Sequence, residues 1–222
     1  MMQGRLIVLE GIDGSGKSTQ YRLLCERLRG EGRDFRHVVF PRYDKESSVL
    51  IREYLGGGFG SRPSDVNAYA ASTFFAVDRF ASFKTEWQEY YESGGLVLAD
   101  RYTTSNACHQ GSKVPPEKRQ EFLDWLYDFE FGRLGLPRPD GVIYLDVDIE
   151  ISRSQMRERQ SSTNTSADIH ERDFAYLAQC LEAGRYAARH YGWCVISCVR
   201  GGKMRTVEDI SGEIYGAVRA MI

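Results

Sequence analysis

The segment RLIVLEGIDGSGKS, residues 5–18, is the most informative part of the sequence, because an apolar run of strand character leads directly into a glycine-rich loop. Residues 11–18 match the pattern G-x-x-x-x-G-K-(S/T), and a helical segment at residues 17–30 follows without a spacer. In this context the glycines let backbone N–H groups turn inward around phosphate oxygens, and the helix N-terminus adds partial positive charge. The segment therefore predicts a phosphate-binding loop between a buried strand and a helix.

Two side chains of the predicted loop are expected to contact a bound nucleotide and its metal ion. Lys17 is placed to reach the β- and γ-phosphates of a nucleoside triphosphate, and the Ser18 hydroxyl is placed to ligate Mg²⁺. A glycine- and serine-rich turn could match the pattern by chance, but the strand before it and the helix after it argue against that interpretation. The predicted ATP-binding residues are Gly11, Ile12, Asp13, Gly14, Ser15, Gly16, Lys17, Ser18 and Thr19.

Further apolar runs indicate the rest of a parallel sheet, at residues 37–40, 95–99, 141–147 and 193–197. Continuous apolar runs are typical of strands covered on both faces, and their alternation with helices indicates right-handed crossovers. Helices are predicted at residues 17–30, 47–55, 65–92, 116–134, 149–158, 171–190 and 206–220, with Ser64 or Asp65 capping the long one. The sequence therefore predicts one α/β domain over residues 1–222, a three-layer P-loop fold with about five parallel strands.

The composition excludes several classes of protein. Of the 222 residues, 42% are hydrophobic and 27% are charged, and the formal net charge is -2. A nucleic-acid-binding protein would show a basic excess or stripe, and a membrane span would need ~18 consecutive apolar residues; the sequence has neither. Five cysteines without a C-x-x-C pair favour free thiols over a metal site, and the N-terminus does not resemble a signal peptide. We therefore expect a cytoplasmic protein with neither nucleic acid nor membrane as a partner.

The predicted strand ends carry the carboxylates that a magnesium site would need. Asp100 ends the run at 95–99, and Asp146 and Asp148 follow the run at 141–147. We expect Asp100 to serve the metal, usually through water, because Arg101 and a polar stretch beside it mark a ligand-facing edge. Asp146 is interpreted as structural.

Two segments could contribute to a second pocket, for a molecule that receives a phosphoryl group. The stretch FPRY, residues 40–43, follows the second predicted strand and offers a cation and aromatic rings beside the phosphate-binding loop. Phe75 and Arg79 lie four residues apart and share a helical face, which suits stacking on a base and hydrogen-bonding its carbonyl. Each segment alone also fits a plainer interpretation, a turn in the first case and core packing in the second.

A third segment, residues 100–113, changes from apolar to polar at the end of a strand. Arg101 can bind phosphate, and the amides of Asn106 and Gln110 can form hydrogen bonds to a base edge. A polar surface helix is the plainer interpretation, but it would be unusual directly at the carboxyl end of a buried strand.

Together these segments resemble the thymidylate kinase family. The resemblance covers nearly the whole chain, through GIDGSGKST (11–19), FPRY (40–43), FFAVDR (74–79), DRYTTSNACHQGSK (100–113), GLPRPD (135–140), YLDV (144–147) and DIHERD (168–173). It implies an enzyme that transfers the γ-phosphoryl group of ATP to dTMP, giving dTDP and ADP. It also implies Mg²⁺ as cofactor, ATP and dTMP as small-molecule partners, and a homodimer that forms through helices flanking the sheet.

The resemblance implies roles at the sugar and the base of the acceptor. Asp13 would contact the sugar 3′-hydroxyl, Phe75 would stack on thymine, and Arg79 would donate a hydrogen bond to its carbonyl. Asn106 and Gln110 would contact the base edge.

At the acceptor phosphate, the resemblance implies a clamp made of Arg101 and the FPRY segment, with Arg42 or Tyr43 as the direct contact. Lys17 and Mg²⁺ would stabilise the charge of the transferred group. The complete set of predicted acceptor-binding residues is Asp13, Phe40, Arg42, Tyr43, Phe75, Arg79, Arg101, Asn106, His109 and Gln110.

Taken alone, the polar stretch at residues 160–168 fits a disordered surface loop. The resemblance implies instead that residues 153–172 form a lid over the donor nucleotide. Some family members place a transition-state arginine inside the phosphate-binding loop, where this chain has Gly14. Lid arginines would then neutralise the transferred phosphoryl group, a role worth ~10³–10⁵ in rate in related reactions. The candidates are Arg153, Arg157, Arg159 and Arg172, with Arg157 and Arg159 first. The predicted catalytic residues are therefore Asp13, Lys17, Arg101, Arg157 and Arg159, and the predicted metal ligands are Ser18 and Asp100.

His109 departs from the family pattern. A bulky Tyr or Phe is common at this position, where it can crowd out a ribose 2′-hydroxyl. A histidine could exclude the hydroxyl sterically or form a hydrogen bond to it, so both deoxy- and ribonucleotide acceptors stay open.

Two other functions compete with this interpretation. A deoxynucleoside kinase would share the phosphate-binding loop and the lid, but its uncharged acceptor would not need Arg101 and FPRY as an anion clamp. A nucleotide-binding regulatory protein without catalysis is the second alternative, and the presence of Lys17, Ser18 and Asp100 argues against it.

Overall fold

A five-stranded parallel sheet lies at the centre of the protein, in a computed structural model that describes residues 4–163 and 168–222, with side chains for all of these except 159–163. The strands are β1 (Arg5–Glu10), β2 (Arg36–Val39), β3 (Leu96–Asp100), β4 (Gly141–Asp146) and β5 (Cys194–Ser197). Their order across the sheet is β2-β3-β1-β4-β5, and each neighbouring pair is parallel. The order reverses beside β1, so a crevice is expected at the carboxyl ends of β1 and its neighbours.

Helices connect the strands. They are α1 (Lys17–Gly30), α2 (Val49–Leu55), α3 (Ala68–Ser82), α4 (Gln88–Glu92), α5 (Thr103–His109), α6 (Arg119–Tyr127), α7 (Ile149–Thr163), α8 (Ile169–Arg172), α9 (Phe174–Tyr191) and α10 (Val207–Met221). A π-helical turn at Phe83–Trp87 joins α3 to α4, and a second one at Asp128–Arg133 continues α6. A two-stranded antiparallel ribbon, β6 (Val199–Arg200) and β7 (Lys203–Met204), follows β5.

Side chains of the central strands alternate between two hydrophobic clusters. On β1, Leu6 and Val8 pack with Trp87 and Phe122 on one face of the sheet, whereas Ile7 and Leu9 belong to the cluster on the other face. Both faces are therefore covered, which explains why the strand reads as a continuous apolar run. The predicted three-layer α/β fold is confirmed. That residues 1–222 form one domain stays a prediction.

The predicted strands and helices differ from the observed ones mainly at their ends. The N-cap predicted at Ser64 or Asp65 is wrong: Pro63–Asp65 forms a 3-10 turn, and Asn67 caps α3 by accepting the N–H of Ala70 at 2.8 Å. The helix predicted at 171–190 is divided at Asp173, which caps α9 through the N–H of Tyr176. Local capping by Asn and Asp side chains decides these boundaries.

Two elements were not predicted. α5 occupies the polar stretch after β3, where hydroxyl and amide residues gave no apolar periodicity. The β6–β7 ribbon is only two residues per strand and turns through Gly201 and Gly202, both with positive φ.

Two further observations concern the cysteines and the helices. All five cysteines are free thiols, and four of them are buried. Within residues 4–163 and 168–222, none of the helices combines the length and the apolar character needed to cross a membrane.

Candidate active site

The phosphate-binding loop crosses the carboxyl edge of the sheet between β1 and α1. Gly14 and Gly16 have φ of 76° and 81°, in the left-handed region that L side chains rarely adopt. Gly14 also has no room for a side chain, because an added Cβ would lie 2.3 Å from the carbonyl oxygen of Ser152. Because α1 begins at Lys17, the first N–H groups of the helix lie at this edge and are available to an anion.

A cavity of about 520 Å³ opens over this loop, and we call it the main cavity. Residues predicted to bind ATP and residues predicted to bind the acceptor line the same cavity. α7 contributes Gln155 and Met156, and the region of α8 contributes Asp168, His170 and Glu171. The predicted residues in the wall are Ile12, Asp13, Gly14, Ser15, Gly16, Lys17, Ser18, Thr19, Phe40, Tyr43, Phe75, Arg79, Asp100, Arg101, Asn106, His109 and Gln110.

Lys17 and Asp100 form a buried ion pair in this wall. Lys17 Nζ donates to Asp100 Oδ1 at 2.5 Å, and each side chain is less than a tenth exposed. Burial, followed by the charge of Arg101, lowers the pKa of Lys17, and Asp100 opposes that shift. The carboxylate thus offsets part of the cost of burying the lysine beside the loop.

Arg101 has the strained backbone that often marks a functional position. Among the described non-glycine residues it alone has a positive φ, 68°, a conformation that costs about 1–2 kcal/mol. Its backbone N–H donates to the carbonyl of Leu9 at 3.1 Å, which ties the end of β3 to β1. Its guanidinium forms an ion pair with Asp13 and lies 3.8 Å from a carboxylate oxygen of Glu10. With this backbone conformation, the Arg101 guanidinium lies between the phosphate-binding loop and α5.

Asp13 stays ionised in this environment. Burial by itself would raise the pKa of Asp13, but the charge of Arg101, with smaller contributions from neighbouring groups such as Lys17, holds it well below its usual value. Ser152 Oγ donates to the backbone carbonyl of Asp13 at 2.6 Å, so α7 packs directly on the loop. A carboxylate with so low a pKa accepts hydrogen bonds at neutral pH and does not take up a proton.

Glu10, which was absent from the predicted set, organises the junction of the loop and α5. It is fully buried at the end of β1, and its carboxylate accepts the hydroxyls of Thr104 and Ser105, both at 2.7 Å. It also accepts the backbone N–H of Gly11 at 3.0 Å. A carboxylate directly after a fully apolar strand was the signal that could have identified it.

Glu130 is a second buried carboxylate, and it holds two residues of the cavity wall, Arg79 and Asn106. It is fully buried and accepts Arg79 Nε at 2.7 Å and Arg79 Nη2 at 2.5 Å. The same carboxylate accepts Asn106 Nδ2 at 3.0 Å and the hydroxyl of Thr103 at 2.7 Å. Arg79 and Asn106 are therefore held by one buried anion. No sequence pattern pointed to Glu130, because it lies in the π-helical extension of α6.

Gln110 differs from its neighbours because its amide has no partner. The residue is 1% exposed, and within the part of the chain that the structure describes, neither its Nε2 nor its Oε1 makes a hydrogen bond. A buried amide left in this way costs about 1–3 kcal/mol per unsatisfied group. It lines the same wall as Phe75 and Asn106. A ligand with both a donor and an acceptor at its edge would satisfy it.

Arg42 lies outside the wall that the described residues form around the main cavity, unlike its neighbour Tyr43. Its Nε donates to Asp78 at 3.1 Å, and Nη1 pairs with Glu86 at 2.8 Å. Its Nη2 donates to Ser47 and to the carbonyl of Asp78. The predicted direct contact from Arg42 to an acceptor phosphate therefore does not follow from this arrangement, because carboxylates elsewhere hold the guanidinium.

Asp146 forms an ion pair with Arg185 of α9 at 2.8 Å, which agrees with a structural role. Within the described residues, no group of three or more His, Cys, Asp and Glu side chains could hold a metal ion.

The predicted lid arginines lie outside the described wall of the main cavity. Arg153 lies over the ring of Phe174 at 4.6 Å, and Arg172 donates to the carbonyl of Asp168 at 3.1 Å. Arg157 is exposed on α7. The side chain of Arg159 and part of the predicted lid, residues 164–167, lie outside the described residues.

Comparison with known proteins identifies the family. The sequence profile of the thymidylate kinases matches residues 9–199. The chain belongs to the thymidylate kinase family. Similar thymidylate kinases include that of Mycobacterium tuberculosis, 34% identical over 197 residues, which span 86% of this chain and 90% of that protein. A probable thymidylate kinase of Pyrococcus abyssi is 32% identical over 223 residues, 98% of this chain and 97% of the relative.

More distant thymidylate kinases agree in sequence and in fold. The human thymidylate kinase is 32% identical over 148 residues, 66% of this chain and 63% of that protein. The structure of the Candida albicans thymidylate kinase superposes with a TM-score of 0.69 at 20% identity, covering 98% of this chain and 92% of that one. At this identity, the likeness to the Candida albicans structure shows that the two chains have the same fold.

Proposed function

We propose that this member of the thymidylate kinase family transfers the γ-phosphoryl group of ATP to dTMP, giving dTDP and ADP. The observation that carries the proposal is the main cavity, which joins a phosphate-binding loop to a pocket containing an arginine and an unpartnered buried amide. ATP would bind over the loop, and dTMP would bind between Phe75, Arg101 and Gln110. The two phosphates would meet above Lys17.

On the donor side, the backbone N–H groups of residues 11–19 would hold the β-phosphate at the N-terminus of α1. Lys17 would leave its ion pair with Asp100 in part to contact the β- and γ-phosphates. As the γ-phosphoryl group moves, the lysine stabilises the charge that develops on its oxygens.

Magnesium fits this donor side. Mg²⁺ with a nucleotide is usually bound through one or two protein oxygens, phosphates and waters, and Ser18 and Asp100 supply a hydroxyl and a carboxylate in one wall. Such a site needs no cluster of three acidic residues. When bound there, the ion would be held by Ser18 and Asp100 and would neutralise negative charge on the phosphates.

On the acceptor side, positioning is the main contribution of the protein. A phosphate monoester has a second pKa of about 6, so its attacking oxygen is already deprotonated at neutral pH and needs no general base. Arg101 would bind that phosphate, and ionised Asp13 would accept a hydrogen bond from the sugar 3′-hydroxyl. Holding both reactants in this way removes most of the entropic cost of the encounter.

At the base, Phe75 would stack on thymine, and Arg79, Asn106 and Gln110 would form hydrogen bonds to its edge. Glu130 supports this assignment because it fixes the orientation of both Arg79 and Asn106. Phe40 and Tyr43 would contribute to the wall of the acceptor pocket. Arg157 and Arg159 are proposed to neutralise the transferred group when α7 closes on the donor, since Gly14 leaves no room for an arginine in the loop.

We propose further that the protein is a cytoplasmic homodimer. Free thiols at all five cysteines suit a reducing compartment. Exposed apolar side chains on α3, Tyr69, Val77 and Phe80, fall on one side of that helix and offer a surface for a second copy of the chain.

A coupled assay of ADP release with ATP and Mg²⁺ tests the reaction. We expect the highest turnover with dTMP in a panel that also contains dUMP, UMP, dCMP, dAMP and thymidine. Turnover with thymidine but not with dTMP would replace the proposal with a nucleoside kinase. ATP binding without turnover of any monophosphate would indicate a regulatory protein.

A further inference from the structure

His109 is held from several directions inside the main cavity. It ends α5, is 6% exposed, and its ring stacks on that of His170 at 5.6 Å between centroids, with 11° between the planes. Its backbone carbonyl accepts the hydroxyl of Tyr176 at 2.8 Å. His109 is therefore held against α8 through its ring and against α9 through its backbone.

The hydrogen bonds of this ring determine its tautomer. His109 Nε2 lies 3.1 Å from Arg101 Nη1, and a guanidinium can only donate. Nε2 must therefore carry a lone pair, and the ring proton must be on Nδ1. His109 Nδ1 faces Cys180 Sγ at 3.6 Å, whose own S–H can donate to Ser112. Burial, followed by the charge of Arg101, lowers the pKa of His109 to about 4, so the ring is neutral at physiological pH.

Both ring nitrogens of His109 are thus engaged by protein atoms. No lone pair or N–H of the imidazole is left over for a sugar hydroxyl in this arrangement. The ring nitrogen at Nε2 faces the same guanidinium that would bind the acceptor phosphate.

The orientation of the Arg101 guanidinium depends on its hydrogen bond to His109. Its Nη2 pairs with Asp13, whereas Nη1 has His109 and, at the longer distance of 3.5 Å, the hydroxyl of Ser105. Without His109, the Nη1 side would be held by Ser105 and by Glu10 at 3.8 Å, which would draw the cation toward the buried carboxylate. His109 Nε2 is a neutral acceptor and holds Nη1, while Asp13 holds Nη2. Together they keep the plane of the guanidinium across the cavity.

A second chain of contacts supports His170. Lys113 Nζ donates to the hydroxyl oxygen of Tyr54 at 2.7 Å, so the Tyr54 hydroxyl is free to donate to His170 Nε2 at 2.8 Å. His170 is thereby fixed as the face against which His109 stacks. The support for the ring comes from α2 and α8 as well as from α5.

We propose that His109 is a positioning residue for phosphate binding: its Nε2 accepts a hydrogen bond from Arg101 and aims the guanidinium at the phosphate of the acceptor. The proposal rests on the proposed function, because it assumes a phosphorylated acceptor in the main cavity. It replaces the two interpretations that the sequence left open, a steric or hydrogen-bonding contact to the sugar.

Calorimetric titration with dTMP and with thymidine distinguishes a role of His109 in phosphate binding from a contact to the sugar. His109→Phe keeps an aromatic ring and removes the acceptor, whereas His109→Gln keeps an acceptor oxygen. We expect His109→Phe to weaken dTMP binding by about tenfold to a hundredfold, the loss typical of a hydrogen bond to a charged group, with thymidine binding unchanged. His109→Gln should recover most of the dTMP affinity. In an Arg101→Ala background, His109→Phe should have no further effect on dTMP binding.

Equal losses for dTMP and thymidine, or a changed preference between dUMP and UMP with dTMP affinity intact, would overturn the proposal. Wild-type protein that binds thymidine and dTMP equally would instead indicate that the proposed acceptor is wrong. A measurement on the unmodified protein covers the case in which the variants do not fold. Long-range ¹H–¹⁵N spectra at pH 7 should show His109 as the neutral Nδ1–H tautomer, and an Nε2–H tautomer would refute the contact with Arg101.

Discussion

At the scale of single residues, Gln110 and Arg79 illustrate why two side chains in one pocket should respond differently to mutation. Both line the acceptor end of the main cavity and both are 1% exposed. Arg79 neutralises the buried carboxylate of Glu130, so Arg79→Ala would leave an unpaired buried charge and cost about 3–5 kcal/mol of stability. Loss of dTMP binding in that variant would therefore not identify a contact to the base.

Gln110→Leu avoids this difficulty, and we expect it to raise the KM for dTMP about tenfold to a hundredfold without loss of stability. The amide makes no hydrogen bond among the described residues, so its removal costs the fold nothing and leaves only the ligand edge unpaired. Steady-state kinetics and a thermal melt check both parts. Gln179→Leu is a matched control, because Gln179 is exposed on α9 and lies outside the described wall of the main cavity. A fall in melting temperature with an unchanged KM would contradict the assignment.

The buried histidine gives the stability a defined pH dependence. Several groups face His109: Arg101 at the end of β3, Asp13 and Lys17 of the loop, Lys113, His170 of α8, and Tyr176 and Cys180 of α9. Its pKa is about 4 in the folded chain and about 6.5 when unfolded, so between these values only the unfolded chain takes up the proton. The contribution of His109 to stability is present above pH 6.5 and is lost as the pH falls toward 4.

We expect the free energy of unfolding to fall from pH 6.5 to pH 4 less steeply in His109→Phe than in wild type. The two slopes should differ by at most about 1.4 kcal/mol per pH unit, the limit for one titrating group. Urea denaturation at several pH values measures it. The comparison with the variant removes the contribution of carboxylates such as Asp168, whose pKa is raised by burial to about 6. Parallel slopes would show that His109 is protonated in the folded chain.

Among the helices and strands, α7 packs closely against the phosphate-binding loop. Gly14 combines a left-handed backbone with an added Cβ that would lie 2.3 Å from the Ser152 carbonyl oxygen. Gly14→Ala should therefore destabilise the fold by at least about 1–2 kcal/mol and weaken ATP binding, because loop and helix must move apart. Denaturation and nucleotide titration measure the two effects.

Gly216→Ala is the matched control for that substitution. Gly216 lies inside α10 with nothing within 4 Å of an added Cβ, so alanine there should stabilise the protein by about 0.5–1 kcal/mol. Unchanged ATP affinity in Gly14→Ala would show that the loop tolerates displacement from α7.

Strands and helices were predictable where their signal is local. The apolar run of β1 and the motif after it located the first strand, the loop and the start of α1 at Lys17. α5 was not predictable, because its polar side chains pair with Glu10 and Glu130 and so replace apolar periodicity with buried hydrogen bonds. The cap of α3 depended on Asn67, one of several polar residues that could have started that helix.

At the scale of the whole molecule, the exposed apolar side of α3 predicts the state of association. Val77 is 53% exposed and Phe80 is 39% exposed, a high cost for an isolated chain. We expect sedimentation analysis to show a dimer at micromolar concentration, and Val77→Glu with Phe80→Glu to shift it to monomer. Val207→Glu, which changes an exposed apolar residue on α10, should leave the dimer intact. A wild-type monomer would refute the proposed assembly.

The amino-acid sequence was sufficient to identify the five strands of the central sheet, the phosphate-binding loop and the family, because each depends on contiguous residues or on patterns that repeat at short range. The tertiary structure alone decided which charges meet. Arg79 pairs with Glu130 across 51 residues and Lys17 with Asp100 across 83, and Arg42 is held by Asp78 and Glu86 away from the cavity. Such pairs form only when packing removes water and each buried charge must find a partner, and no local pattern encodes that choice.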